Sequence, residues 1–216
     1  MVDKQKTDNT SDLPMVSVLA LCYNHSDYLA LTLDSIVKQT YTNIQLIIID
    51  DCSQDNSVEV ITRFIEDKEI ECVFIKHTEN KGICKSLNEA IDFIEGKYYH
   101  LIACDDILMH NTIERHVSLL ENSESNVAVV YSDAILINEK GEFYDNRFIA
   151  YHKSYLNAPS GFIFEELING NFIPAMTVTY KSSALREIGF WDETLVYEDY
   201  DMWLRLSRKY KFLFDN

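Results

Sequence analysis

The sequence predicts an α/β domain: a mostly parallel central sheet flanked by helices, followed by a small antiparallel portion. Three features point there. Between residues 15 and 131, apolar runs of strand length alternate with segments of helical periodicity, the pattern of right-handed βαβ crossovers. Two of the apolar runs, residues 45–49 and 98–103, stop at adjacent carboxylates, Asp50-Asp51 and Asp105-Asp106. Strands that end in acid suggest one rim of a parallel sheet, where such folds bind ligands. Beyond residue 131 the alternation gives way to hairpin signals and an irregular aromatic stretch.

Residues 15–21 read as a buried first strand. A polar turn, Asn24 to Asp27, leads to a helix whose stripe is Leu29, Leu33, Ile36 and Val37. The second strand is 45–49, and after it Ser53 or Asp55 is placed to cap a helix carrying Val58, Ile61 and Ile65. Residues 71–77 form the third strand. Asn80-Lys81-Gly82 punctuates the chain before a helix with Ile83, Leu87, Ala90, Ile91 and Ile94 on one side, ended by Gly96. The 98–103 strand follows. Asn111 and Glu114 have capping-box spacing ahead of a helix with Ile113, Val117 and Leu120. A strand at 127–131 completes the alternating half. Residues 134–138 and 142–144 then pair around Glu139-Lys140-Gly141, and 144–160 is irregular. A strand at 175–180 and a short helix at 183–188, stopped by Gly189, come next. A helix at 200–209 turns Trp203, Leu206 and Tyr210 inward, and 211–216 reads like a strand just beginning.

The bulk numbers bound the function. A chain of 216 residues, 47% hydrophobic and 25% charged, is ordinary for a globular protein. It is long enough to bury roughly 70–75% of its unfolded surface without staples. Residues 1–13 read as a loose polar tail and 14–216 as one domain. The net charge of −16, from 35 acidic and 19 basic residues, lacks the basic footprint of a nucleic-acid binder. An acidic protein still binds a phosphorylated ligand where a metal or a local basic group offsets the repulsion. The five cysteines have no CxxC spacing and read as free thiols of a reducing cytosol. No apolar run reaches the ~18 residues of a membrane span, and no signal peptide is visible.

Several motifs stand in a telling order. Cys22-Tyr23-Asn24-His25 follows the first strand, and Asp50-Asp51-Cys52-Ser53 ends the second. Asn80-Lys81-Gly82 leads to Leu87-Asn88, and Cys104-Asp105-Asp106 ends the fourth strand. Gly189-Phe190-Trp191-Asp192-Glu193 precedes Glu198-Asp199-Tyr200-Asp201-Met202-Trp203. Together they resemble the inverting family 2 glycosyltransferases of GT-A fold, SpsA-like members included, over residues 16 to about 210.

That resemblance implies a single Rossmann-like domain. Its nucleotide-binding half runs to about residue 130, and its acceptor half, from 131, carries the antiparallel subsheet. It implies transfer of a sugar from a nucleotide-diphosphate donor, a UDP-sugar, to an acceptor hydroxyl in cell-surface polysaccharide or glycoconjugate synthesis. Asp106 would bind Mn²⁺ or Mg²⁺ directly, and Asp105 would contact ribose or metal-bound water. Where the family often has a third acid, this chain has Cys104 or Ala103. Tyr23 would stack on the base, with Asn24 beside it. Asp50 would accept from uracil N3–H, which tells uracil from cytosine, with Asp51 as its neighbour. Lys81 and Lys85 would offer cations to the diphosphate. Asp199 would be the general base that inversion requires, with Glu198 in reserve. The resemblance places Asn88 in a structural role, and the six histidines show no ligand spacing.

Competing readings fare worse. A receiver domain closes its first strand with the acid pair, whereas here a full strand and helix precede Asp50. A nucleotidyltransferase would carry a glycine-rich loop after the first strand, and Tyr23-Asn24-His25-Ser26 has no glycine. A non-catalytic nucleotide-binding module has no need of the full acid set. The acceptor is open between saccharide, lipid-linked saccharide and protein, as are the sugar and the oligomeric state. The C-terminus suggests a protein that continues. The expected location is cytoplasmic, at the inner face of the membrane if missing parts attach it there.

Overall fold

A computed structural model describes residues 13–153, 158–195 and 197–216. The expected tail lies outside these residues apart from Leu13. The described helices are α1 (Leu29–Val37), α2 (Ser57–Lys68), α3 (Ile83–Ala90), α4 (Thr112–Glu121), α5 (Phe148–Lys153), α6 (Phe164–Ile168), α7 (Ser182–Ile188) and α8 (Glu198–Ser207). The strands are β1 (Val16–Cys22), β2 (Ile44–Asp50), β3 (Cys72–Lys76), β4 (Tyr98–Ala103), β5 (Val127–Ser132), β6 (Ile135–Ile137), β7 (Phe143–Arg147), β8 (Thr179–Lys181) and β9 (Lys211–Asp215). Seven of them form one sheet in the order β3-β2-β1-β4-β8-β5-β9, and β6 pairs with β7 in a separate antiparallel sheet of two.

β1 runs parallel to both β2 and β4, with Cys22 opposite Asp50 and Leu21 opposite Ala103. The carboxyl ends of the two acid-ended strands are therefore level, on either side of β1. The central strands are covered on both faces, which is why they read as continuous apolar runs rather than alternating ones. Leu19, Ile47 and Ile49 face α3, Tyr99 and Trp203, while Val18, Ala20 and Ile48 face Leu33, Ile61 and Val117. Each such side chain contributes about 1.5–3 kcal/mol by leaving water. Gly96 sits where β4 enters the sheet. A Cβ there would lie 2.5 Å from the Ser17 nitrogen and 2.9 Å from the Met15 carbonyl, so only glycine lets the chain pass.

β8 is antiparallel to both its neighbours, β4 and β5. A buried polar chain stitches it in place. His100 of β4 and His116 of α4 each set Nδ1 2.8 Å from the Thr179 hydroxyl oxygen. His100 Nε2 lies 3.0 Å from the Met176 carbonyl, and His116 Nε2 2.7 Å from the Ser132 hydroxyl. A carbonyl only accepts, so His100 carries its proton on Nε2. Direction then propagates: Thr179 donates to His100, His116 Nδ1–H donates to Thr179, and Ser132 donates to His116. Burial pushes both imidazoles down to about 3, so both are neutral.

Local expectations shift at several points. Of the expected 175–180 strand only 179 and 180 pair, and the strand extends one residue further, to Lys181. Residues Ala175–Thr177 form a 3₁₀ turn, closed where the Thr177 N–H and hydroxyl both donate to the Pro174 carbonyl. α2 starts at Ser57, and Asp55 serves it by accepting the Ser57 N–H at 2.9 Å, while Ser53 turns to Asp50. The capping box does not form at α4: Asn111 makes no side-chain cap, and Glu114 accepts from the Thr40 hydroxyl. Val37 and Ile83 end up exposed, each at the edge of its helix's apolar stripe. The 144–160 stretch contains the end of β7 and α5, with 154–157 outside the described residues. α8 begins at Glu198 rather than at Tyr200, which brings Glu198 and Asp199 into its first turn. The strand expected to start at 211 is β9, five residues paired in parallel with β5.

Candidate active site

The loops at the carboxyl ends of β1 and β2 are tied to each other. Asn24, at a left-handed φ of 59°, donates its N–H to the Ser53 hydroxyl at 2.9 Å and accepts the Gln54 N–H at 2.7 Å. Ser26 donates its N–H to Asp55 at 3.0 Å. Asn24 is thus a brace between loops, and it leaves Tyr23 standing out at 44% exposure. Asp50 is 1% exposed and accepts the Ser53 N–H at 2.9 Å and the Ser53 hydroxyl at 2.5 Å.

Asp51 works differently from its expected place beside the nucleotide. Its buried carboxylate accepts the Lys81 N–H at 2.8 Å, the Gly82 N–H at 2.9 Å and His77 Nδ1–H at 2.7 Å. Burial opposes its charge, yet the His77 bond and the two backbone N–H groups hold it below the usual carboxylate range. It is a clamp on the turn that starts α3, where Gly82 takes φ 81°. The Lys81 ammonium pairs with Glu89 at 2.6 Å. Lys85, one turn on, is exposed.

Asp105 and Asp106 lie in a turn closed by the Asp106 N–H on the Ala103 carbonyl, 3.1 Å, with the Thr32 hydroxyl donating to the Asp106 carbonyl at 2.7 Å. The Asp106 side chain is half-buried, and burial first, then the charge of Asp105, pushes its carboxyl up to about 7. A cation here would relieve both causes, and two hard oxygen donors suit Mn²⁺ or Mg²⁺. The pair fits such an ion. Among the described residues no group of three or more His, Cys, Asp or Glu is arranged to hold one. His25 Nε2 approaches Asp105 to 3.6 Å, so this histidine belongs to the site although no spacing in the sequence marked it.

The segment leading into α8 lies against the start of α3. The Cys84 thiol, at the start of α3, donates to the Leu195 carbonyl at 3.7 Å. Burial raises that thiol, and the charge of Glu198 adds to the effect. Asn88 locks the approach: it accepts the Trp191 N–H at 2.9 Å and donates to the Trp191 carbonyl at 3.0 Å. Burial raises the Asp199 carboxyl above its ordinary value, and burial followed by the charge of Asp199 raises Glu198. Asp199 accepts its neighbour Tyr200's N–H at 2.6 Å and the Asn171 side-chain N–H at 3.3 Å. Asn171 was invisible as a site residue because its partner lies 28 positions away. The only hint was its place in a polar Asn-Gly-Asn turn.

Known proteins resemble this chain in sequence and in fold. An uncharacterized glycosyltransferase of Rickettsia typhi is 31% identical over 94% of this chain and 62% of its own length. TuaG of Bacillus subtilis, named as a glycosyltransferase of teichuronic acid biosynthesis, is 24% identical over 91% of this chain and 73% of its own. The mannosyltransferase PcManGT of Pyrobaculum calidifontis, solved with GDP-Man and Mn²⁺, superposes with a TM-score of 0.71 at 18% identity, over 95% of this chain and 56% of that one. TarS of S. aureus, solved with UDP, gives 0.67 at 18% identity, over 94% and 61%. The fold is thus GT-A, and this chain spans about three-fifths of the Rickettsia typhi relative. The model of glycosyl transferase family 2 matches residues 17–189, from the first strand through the glycine that ends α7, and on that match the chain belongs to this family.

Proposed function

We propose that the protein transfers a sugar from a nucleotide-diphosphate donor, a UDP-sugar, to an acceptor hydroxyl with inversion. What supports this is the half-buried Asp106 beside Asp105 just past the carboxyl end of β4, together with the raised carboxyls of Glu198 and Asp199 in the first turn of α8. Tyr23 presents a ring face for the base. Asp50 keeps acceptor capacity for uracil N3–H, since a carboxylate has about four lone-pair sites and Ser53 takes two. Its burial means the Ser53 loop must yield when a donor arrives. Asp51 and Asn24 hold these loops in place. Lys85, with Lys81 behind its Glu89 pair, lends positive charge to the phosphates.

Asp105 and Asp106 would hold Mn²⁺ or Mg²⁺. When bound, the ion neutralises charge on the diphosphate leaving group. Asp199 takes the proton of the acceptor hydroxyl as its oxygen bonds to the anomeric carbon and the bond from that carbon to the diphosphate breaks. A raised carboxyl makes a stronger base than an exposed one. The name of TuaG, a glycosyltransferase of teichuronic acid biosynthesis, supports a role in cell-surface polysaccharide synthesis, with a saccharide, lipid-linked saccharide or protein as the acceptor left open. No described helix is long and apolar enough to cross a membrane.

Thermal shift with UDP-GlcNAc, UDP-glucose and GDP-mannose, with and without Mn²⁺, tests the reading. A donor at about 100 times its Kd stabilises by about 2.7 kcal/mol, or roughly 5–10 °C. The shift should need Mn²⁺ and vanish in Asp106→Ala. Full transfer by both Asp106→Ala and Asp199→Asn would sink the assignment.

A further inference from the structure

We infer that Asn171 is the positioning residue of the base: its side-chain amide fixes the orientation of the Asp199 carboxylate and favours its charged form. The inference rests on Asp199 being that base. The amide has one available orientation, because Asn171 Oδ1 accepts the Ile173 N–H at 3.0 Å. The NH₂ end is thereby turned to Asp199, with Nδ2 3.3 Å from Oδ2. The loop that carries it is anchored on both sides. Gly170 takes a left-handed φ of 124° and donates its N–H to the Leu167 carbonyl at 2.9 Å. Phe172 and Ile173 are buried in the core behind it. The Tyr200 hydroxyl donates to the Leu167 carbonyl at 2.5 Å, so loop and first helical turn are joined twice, through adjacent residues of α8.

Burial alone would leave Asp199 a poor anion. Its own helix supplies the Tyr200 N–H, and the Asn171 amide is the side-chain donor that offsets the burial. Among the described residues, the titratable groups that act on it supply no positive charge. Glu198 is adjacent, Tyr180 of β8 faces the pair from the core with Tyr99 behind it, and Cys84 of α3 faces Glu198. On the helix itself, Arg205 is engaged by Asp201 at 2.8 Å. A neutral amide therefore does what no cation here does.

The test is the titration of Asp199, read from its carboxyl ¹³C shift and assigned by its loss in Asp199→Asn. Asn171→Asp keeps the acceptor for Ile173 but replaces the donor with a like charge. It should move the Asp199 midpoint up by about one unit or more. Asn171→Ala removes both the donor to Asp199 and the acceptor for Ile173 without adding charge, and should move the midpoint up by less. Lower melting temperatures with an unmoved midpoint in both variants would overturn the inference. The readout needs no substrate, so it stands apart from the base reading itself. Unimpaired turnover by Asp199→Asn would overturn that reading and leave the titration result unaltered.

Discussion

Asp199, the proposed base, carries its burial as a stability effect that depends on pH. In the folded protein its carboxyl is raised above the ordinary value by burial, so it keeps its proton at pH values where the unfolded chain has released it. Its contribution to stability is therefore full below the ordinary aspartate range and declines as pH rises through the raised value. In Asp199→Asn this decline is absent. The melting temperature of the Asn variant relative to wild type should thus climb across that window, each kcal/mol appearing as about 2–4 °C. Over the same range transfer by the Asn variant should lie about 10²–10⁴-fold below that of the wild type. Thermal scans at a series of pH values, paired with turnover assays, check both; a difference that stays flat with pH would contradict the assignment. Asp50 and Asp51 make the complementary point. Adjacent in sequence and alike in type, one ties down its own loop through Ser53, and the other ties β2 to the start of α3. Nothing in either residue's identity distinguishes these jobs; only the neighbours do.

At the scale of elements, β8 is the strand with least sequence support and most cross-linking. It pairs through three residues with β4 and two with β5, and its Thr179 hydroxyl joins two buried histidines. Thr179→Val should cost about 1–3 kcal/mol for each imidazole nitrogen left without its partner. Chemical denaturation measures it, and a cost below 0.5 kcal/mol, on the order of a surface change, would show the chain to be dispensable. The same histidines set an acid limit. Their native values of about 3 lie below the ordinary 6.5, so the unfolded chain binds more protons between those limits. Stability should therefore fall as pH drops from about 6.5 towards 3. His116→Asn should show a shallower fall in melting temperature over that interval than wild type. An equally steep fall would assign the acid loss to carboxylates instead. Helix starts were read less well than helix existence, because a cap is decided by which loop donor comes nearest. Glu114 had the right spacing from Asn111 but met the Thr40 hydroxyl instead.

At the scale of the whole molecule, a net charge of −16 opposes an anionic donor everywhere except where a cation or a lysine intervenes. Raising salt from 0.01 to 0.15 M shortens the Debye length from about 30 to about 8 Å. Metal-free binding of UDP should then tighten, by about two- to tenfold, whereas binding with saturating Mn²⁺ should change less. Calorimetric titration at the two salt levels decides it; weakening in the metal-free series would mean that local lysines outweigh the global field. Most of the fold was legible because apolar periodicity reports burial directly: the alternation over 16–132 became β1 to β5 with their helices in order. The acid-ended strands were legible as a rim because parallel strands in register must end together. The candidate site acids, too, stood in the chain, as Asp50, Asp105-Asp106 and Glu198-Asp199. What only the tertiary structure decided was partnership. It set His25 against Asp105, spent Asp51 on a turn, and brought Asn171 to Asp199 across 28 residues. Local sequence determines which segments bury which faces, since that depends on neighbours three or four positions away. Hydrogen bonds between loops depend on where whole elements come to rest, and that is settled only when the sheet and its two cores pack.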